Sequence, residues 1–330
     1  MSKDIGIDLG TANVLIHVKG KGIVLNEPSV VALNKQTRKV LAVGEEARQM
    51  VGRTPGNIVA IRPMKDGVIA DFDITEAMLT YFMNKLQLRS MFSKPRILIC
   101  CPTQITNVEQ KAIREAAEKA GGRTVFLEEE PKVAAIGAGM DIFQPSGNMI
   151  IDIGGGTTDV AVLSMGDIVT SESIKVAGDT FDNEILYYIK KQYKLLIGER
   201  TAEAIKMTIG TVYPGGRNEV MDIRGRDMVN GLPRTIEVSS AEIQEALQES
   251  IAMLIQAAKN VLEKTPPELS ADIIDRGIIL TGGGALLHGL DMLLTEELLV
   301  PVLVAEDPMH CVAKGTGILL ESMGTAKFRR

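Results

Sequence analysis

Three glycine-rich turns carry the residues whose types and spacing could do chemistry. They are Gly10-Thr11 in "IGIDLGTANVLIHV", Gly154-Gly155-Gly156-Thr157-Thr158 in "MIIDIGGGTTDVAVL", and Gly282-Gly283-Gly284 in "TGGGALLHGLD". Glycine weakens a strand, because it loses the most backbone entropy on folding and has no side chain to pack. Set between runs of Val, Ile and Leu, it makes either a tight hairpin or a close approach of backbone to a ligand. Backbone N–H groups in such turns form concave nests for phosphate oxygens. Neither G-x-x-x-x-G-K-[ST] nor G-x-G-x-x-G occurs, so the phosphates would be clamped between two hairpins instead. Asp8 and Asp152 stand at matching positions before the first two turns. Carboxylates beside a polyphosphate repel it unless a cation intervenes. The pair therefore implies Mg²⁺, held by one or two carboxylates together with phosphates and water.

Positioning these turns requires a duplicated framework. The first two turns share one plan: a strand ending near Asp, a Gly/Thr turn, then a second strand. Two copies of one hairpin suggest two related halves, each with its own sheet. Elsewhere strands and helices alternate, which implies α/β layers. Arg96–Cys101 reads as a buried strand stopped by Pro102. Asn107 with Gln110 resembles a capping box opening an amphipathic helix that ends at Gly121-Gly122. Val125–Leu127 reads as a short strand, and Pro131 opens a helix of small residues, "PKVAAIGAGM", suited to a crossover between halves. Further helices are expected from about Phe181 and from about Ala241 to Leu262, the latter ended by Thr265-Pro266-Pro267. Asp307-Pro308 is expected to cap the last helix, with Pro at its first position. Shorter, more polar patterns suggest small subdomains inserted at about 34–65 and 181–244. The expected division is 1–139 with 312–330 as domain I, and 140–311 as domain II.

Bulk properties narrow the function classes. The 330 residues suffice for two domains, with 45% apolar and 24% charged residues. Aromatics are only 4%, Trp is absent and the formal charge is −6, which argues against nucleic-acid binding. "MSKDIGIDLG" has no long apolar core behind its lysine, giving the expectation of no secretory leader, and no apolar run approaches a membrane span. Three cysteines, two adjacent in "ILICCP", make neither a disulfide framework nor a metal spacing. The three scattered histidines, His17, His288 and His310, read as structural or exposed.

The chain resembles the superfamily of actin, heat-shock chaperones and sugar kinases, whose two duplicated domains close on ATP. Within it, "IGIDLGTAN", "LNEPSVVA", "RPMKDGVIADFD", "EEPKVAAIGAG", "IDIGGGTTDVAV", "LLIGERTAE", "RGRDMVNGLPRTI" and "TGGGALLHGLD" follow the order of the MreB-type bacterial actins, end to end. The wording looks most like the MreB-like paralogues of rod-shaped Gram-positive bacteria. The resemblance implies Asp8, Gly10, Thr11, Ala12 and Asn13 on one phosphate loop and Asp152, Gly154, Gly155, Gly156 and Thr157 on the other. It implies further nucleotide contacts at Gly178, Glu203, Lys206, Gly282, Gly283, Gly284 and Ala285. Glu130 falls where the family orients the attacking water, with Thr157 as its partner; its simpler reading is an acid at a helix N-terminus. Likewise, Glu203 and Lys206, one turn apart, either face ribose and adenine or form a surface ion pair.

In "LRSMFSKPR", Met91 and Phe92 sit between Arg89, Lys94 and Arg96. An apolar pair in a basic loop either tucks under its domain or enters a membrane, and in MreB-like proteins the corresponding loop enters the inner leaflet. The implied function is an ATPase with slow hydrolysis coupled to polymerisation. Its filaments would lie at the cytoplasmic face of the cell membrane and organise peptidoglycan synthesis for rod shape. Implied partners are further copies of the chain and the elongation proteins MreC, MreD, RodZ and the RodA complex. A chaperone-type ATPase would need a further substrate domain. A small-molecule kinase would need a general-base Asp aimed at a substrate hydroxyl, and no clear candidate stands in the sequence.

Overall fold

The computed structural model describes residues 4–88 and 94–322. Its first half starts with an antiparallel meander: β1 (Ile5–Leu9), β2 (Asn13–Val18) and β3 (Gly22–Pro28). A small unit follows, made of β4 (Val31–Asn34), β5 (Val40–Val43), α1 (Glu45–Met50) and β6 (Ile58–Ile61). The two-stranded hairpin β7 (Met64–Lys65) and β8 (Val68–Ile69) leads into α2 (Phe72–Lys85), β9 (Arg96–Cys101), α3 (Asn107–Lys119), β10 (Thr124–Glu129) and α4 (Glu130–Gly137).

The second half repeats the plan. Its meander is β11 (Asn148–Ile153), β12 (Thr158–Ser164) and β13 (Asp167–Ile174). Next come α5 (Gly178–Tyr193), β14 (Leu195–Leu196), α6 (Glu199–Ile209), β15 (Val220–Asp227) and β16 (Pro233–Ser239). The chain closes with α7 (Ser240–Lys264), α8 (Pro267–Arg276), β17 (Ile278–Thr281), α9 (Leu290–Leu298), β18 (Val302–Val304) and α10 (Cys311–Ser322).

The two main sheets have one topology. One is ordered β10-β9-β1-β2-β3 and the other β13-β12-β11-β17-β18. In each, the first strand of the meander pairs antiparallel with the second and parallel with a later strand. β11 is buried at every position, as expected for a central strand covered on both faces. Smaller three-stranded sheets, β5-β4-β6 and β14-β15-β16, stand apart from the main ones. Each half has its own apolar core, one around Phe82 and Ile97, the other around Phe181 and Leu254. A third cluster joins Leu98 of β9, Ala134 of α4, Ile150 of β11 and Leu319 of α10, and so ties the halves together.

α4 and α10 meet almost backbone to backbone. A methyl at Gly137 would fall on the Cys311 carbonyl, and one at Gly315 on the Val133 carbonyl. Glycine is what allows this approach.

Several helix starts differ from expectation. The capping box of α3 is Thr106 with Glu109, one residue before Asn107 and Gln110. Glu109 Oε2 accepts the Thr106 N–H at 2.7 Å, and a carboxylate accepts that proton more strongly than an amide. α5 begins at Gly178 rather than Phe181. Pro266-Pro267 not only ends α7 but opens α8, where Pro occupies a first-turn position. Pro308 starts a 3₁₀ turn, and α10 begins at Cys311. The Asp307 carboxylate is taken by His310 and Lys314, both at 2.7 Å, instead of capping the helix.

Candidate functional site

The three turns converge. Asp8 and Asp152 occupy the second-last positions of β1 and β11, so both carboxylates rise beside the turns that follow. In the first turn, Ser29 Oγ donates to the Gly10 carbonyl at 2.7 Å and the Ser29 N–H donates to the Ala12 carbonyl at 2.9 Å. Asn13 opens β2. In the second turn the Gly154 N–H donates to the Thr157 carbonyl at 2.9 Å. The two turns face each other: a methyl on Gly155 would lie 2.8 Å from the Ala12 Cβ. Gly282 and Gly284 of the third turn lie against Ile153, leaving no room for a side chain at either, and Gly283 is open. Ala285 is buried beneath. Thr281 Oγ1 donates to Asp152 Oδ1 at 2.9 Å and so fixes that carboxylate.

Between the turns lies a cluster of acids. Burial and then the charge of Asp152 push the Asp8 carboxyl up to about 7. Burial pushes Asp152 up to about 7 as well, against the Thr281 hydrogen bond and with help from Asp159. Glu130 opens α4 just before Pro131. Its carboxyl is raised well above the usual range, by burial first and then by Asp152, Asp8 and Asp159. These oxygen donors repel one another, and a hard dication would relieve the repulsion. Among the described residues no three His, Cys, Asp or Glu side chains converge to hold a metal alone. That suits Mg²⁺, which keeps several waters and substrate oxygens as ligands. Asp8 and Asp152 are the residues that would support it.

Gly178 and Lys206 also come to this site. The Gly178 N–H donates to the Gly154 carbonyl at 3.1 Å, and Lys206 Nζ donates to the Gly178 carbonyl at 3.0 Å. Lys206 also pairs with Asp182 at 2.9 Å. Glu203 lies on the same helix, 3.8 Å from Arg48 of the first half. Met91 and Phe92 lie outside the described residues.

Sequence reading missed two contributors. The Asp66-Gly67 turn between β7 and β8 has positive φ at both residues, +51° and +75°, as a two-residue hairpin needs. Its Gly67 N–H donates to Thr11 Oγ1 at 3.0 Å, and a methyl on Gly156 would lie 2.9 Å from the Asp66 backbone. The Asp-Gly pair signalled the turn; nothing local signalled where it lands. Asp159, fully buried on β12, accepts from the Thr103 N–H at 3.1 Å and its hydroxyl at 3.2 Å, joining the two halves.

Known proteins share this sequence and architecture. The model of the MreB/Mbl protein family matches residues 2–328. The cell shape-determining protein Mbl of Bacillus cereus is 79% identical over 322 residues, spanning 98% of this chain and 97% of that protein. The Mbl of Bacillus subtilis is 76% identical over 329 residues, spanning 100% and 99%. The crystal structure of MreB 5 of Spiroplasma citri bound to AMPPNP superposes with a TM-score of 0.94 at 41% identity, covering 98% of this chain and 97% of that one.

Proposed function

This chain belongs to the MreB/Mbl family, and on that premise we propose that it is a bacterial actin that binds and slowly hydrolyses ATP. In this reading it polymerises into filaments on the cytoplasmic face of the cell membrane and organises peptidoglycan synthesis for rod shape. The observation that carries the reading is the convergence of three glycine turns, from both halves, around Asp8, Asp152 and Glu130. The relatives' description as cell shape-determining proteins and the AMPPNP bound by the Spiroplasma protein support it.

In the mechanism, backbone N–H groups of residues 10–13 and 155–157 grip the phosphates from opposite sides. Phosphoryl transfer to water is mostly positioning and charge neutralisation. Mg²⁺, when bound, would neutralise phosphate charge and that of Asp8 and Asp152. Glu130 accepts a hydrogen bond from the attacking water, with the Thr157 hydroxyl as its partner. Lys206 and Glu203 flank the nucleoside, and Gly282–Gly284 with Ala285 form its floor. Polymerisation brings further copies of the chain together, and the apolar pair Met91 and Phe92 supplies the membrane contact. The elongation proteins MreC, MreD, RodZ and the RodA complex are the partners such a filament would serve.

The test combines phosphate release with sedimentation, in ATP and Mg²⁺, with and without anionic vesicles. Phosphate release together with ATP-dependent pelleting, enhanced by vesicles, is the expected result. Transfer of phosphate to an added sugar, without polymer, would replace the filament with a small-molecule kinase.

A further inference from the structure

The mouth of the cleft is closed by a seam of opposite charges. Arg62, just after β6, and Arg48 of α1 reach from the first half toward Asp179, Glu199 and Glu203 of the second. Arg62 Nη1 donates to Asp179 Oδ1 at 2.9 Å, while Nη2 lies 4.0 Å from a Glu199 carboxylate oxygen. Arg48 lies 3.8 Å from Glu203, and Lys175 crosses in the opposite sense to Asp66 at 3.9 Å. A guanidinium fork can serve two carboxylates at once, which an ammonium does less well.

Asp179 differs from an ordinary surface acid. Its backbone N–H donates to the Gly155 carbonyl at 2.8 Å, next to the Gly178–Gly154 bond. The residue that Arg62 grips is thus bonded directly to the second phosphate turn. The side chains of Arg62 and Asp179 are 34% and 33% exposed, so the pair is reachable by water and salt. An exposed pair of this kind contributes little to fold stability. This one, however, spans two bodies whose separation is the route by which a ligand leaves, so its strength enters a rate.

We infer that Arg62 is a positioning residue: by gripping Asp179 it holds the two halves shut over bound nucleotide, and breaking that pair is a step in nucleotide release. The inference rests on the nucleotide reading above.

The experiment displaces a fluorescent ATP analogue with excess ATP in a stopped-flow instrument. At low salt, Arg62→Ala should release the analogue about three- to fivefold faster than the parent, the upper range for a partly exposed pair. Between about 50 and 500 mM NaCl the parent rate should climb toward that of Arg62→Ala and more steeply than it, because the variant keeps only the longer pairs Arg48–Glu203 and Lys175–Asp66 for salt to screen. The charge swap Arg62→Asp with Asp179→Arg should return the low-salt rate to within about twofold of the parent, as coupled residues do. If the swapped protein does not fold, the salt titration of parent against Arg62→Ala decides alone. Equal release by the parent and Arg62→Ala, or a parent rate indifferent to salt, overturns the inference. A parent that binds and hydrolyses ATP while Arg62→Ala releases at the parent rate sinks the grip alone. A parent that binds no analogue sinks the nucleotide reading with it.

Discussion

Replacing Asp152 by Asn should make the ligand-free protein more stable and cancel the benefit of Mg²⁺ and ATP. Asp152 is 4% exposed and holds its proton up to about 7. An unfolded aspartate releases its proton near 3.9. The native state therefore binds this proton more tightly than the unfolded state does, and parent stability falls as pH rises from about 4 to about 7. With about 1.36 kcal/mol per pH unit, the fully ionised carboxylate costs the native state about 4 kcal/mol. Asp8 shares the same repulsion and also titrates near 7, so about 2 kcal/mol is the recoverable part for one substitution. Asn is nearly isosteric and can still accept the Thr281 hydroxyl. At pH 8, Asp152→Asn should melt about 3 °C above the ligand-free parent, given about 1.4 °C per kcal/mol for a chain of this length. At pH 4 or below the two should melt together, since both are neutral there. Added Mg²⁺ and ATP should raise the parent's melting temperature and leave that of Asp152→Asn little changed. Thermal melting across pH 4–8, with and without Mg²⁺ and ATP, reads all of this. Parent-like melting of the variant at pH 8, or an equal gain at pH 4, would refute the charge-repulsion account.

Three other outcomes are expected. Glu130→Ala should lower phosphate release by about 10²-fold or more, the scale of a positioned general base, while equilibrium titration finds nucleotide affinity little changed; hydrolysis at the parent rate would end its role with water. Gly156→Ala places a methyl 2.9 Å from the Asp66 backbone, so it should push the halves apart and weaken ATP binding by about tenfold or more, roughly the 1–3 kcal/mol of an overpacked contact; parent affinity would mean that the two turns do not close on one ligand. Met91→Ser with Phe92→Ser should abolish pelleting with anionic vesicles, removing about 3–5 kcal/mol of lipid affinity per subunit. Unchanged vesicle binding with a clearly lower melting temperature would instead place the pair beneath its domain.

What was legible in the sequence was local. Asp, Gly and Thr in fixed order mark the first two turns, a run of three glycines marks the third, and the repeat of the first order marks the duplication seen in the two matching sheets. Strands such as Arg96–Cys101 were readable because a central strand is apolar at nearly every position. Illegible features depended on distance along the chain. Arg62 and Asp179 are 117 residues apart, and a charged pair across a cleft leaves no period in either segment. The landing of Gly67 on Thr11, 56 residues away, is of the same kind. Helix starts failed for another reason: overlapping pairs such as Thr106/Glu109 and Asn107/Gln110 both satisfy the capping pattern, and the stronger acceptor decides between them.

The backbone-to-backbone contact of α4 and α10 has a mechanical consequence. α4 is the last helix before the second sheet begins, and α10, after that sheet is complete, packs back on β1, β2 and β9 of the first. α4 also packs against β9 and β10 on one side and β11 and β12 on the other. With glycines letting the backbones interlock at Gly137 and Gly315, sliding of one helix along the other meets hard atoms, so this pair is the natural pivot for any relative movement of the halves. The molecule is thus built like a pair of pliers. In that picture the helix pair would be the pivot, the glycine turns the inner jaws, and Arg62 with Asp179 the tips, so that a small opening at the jaws would be amplified where the tips meet.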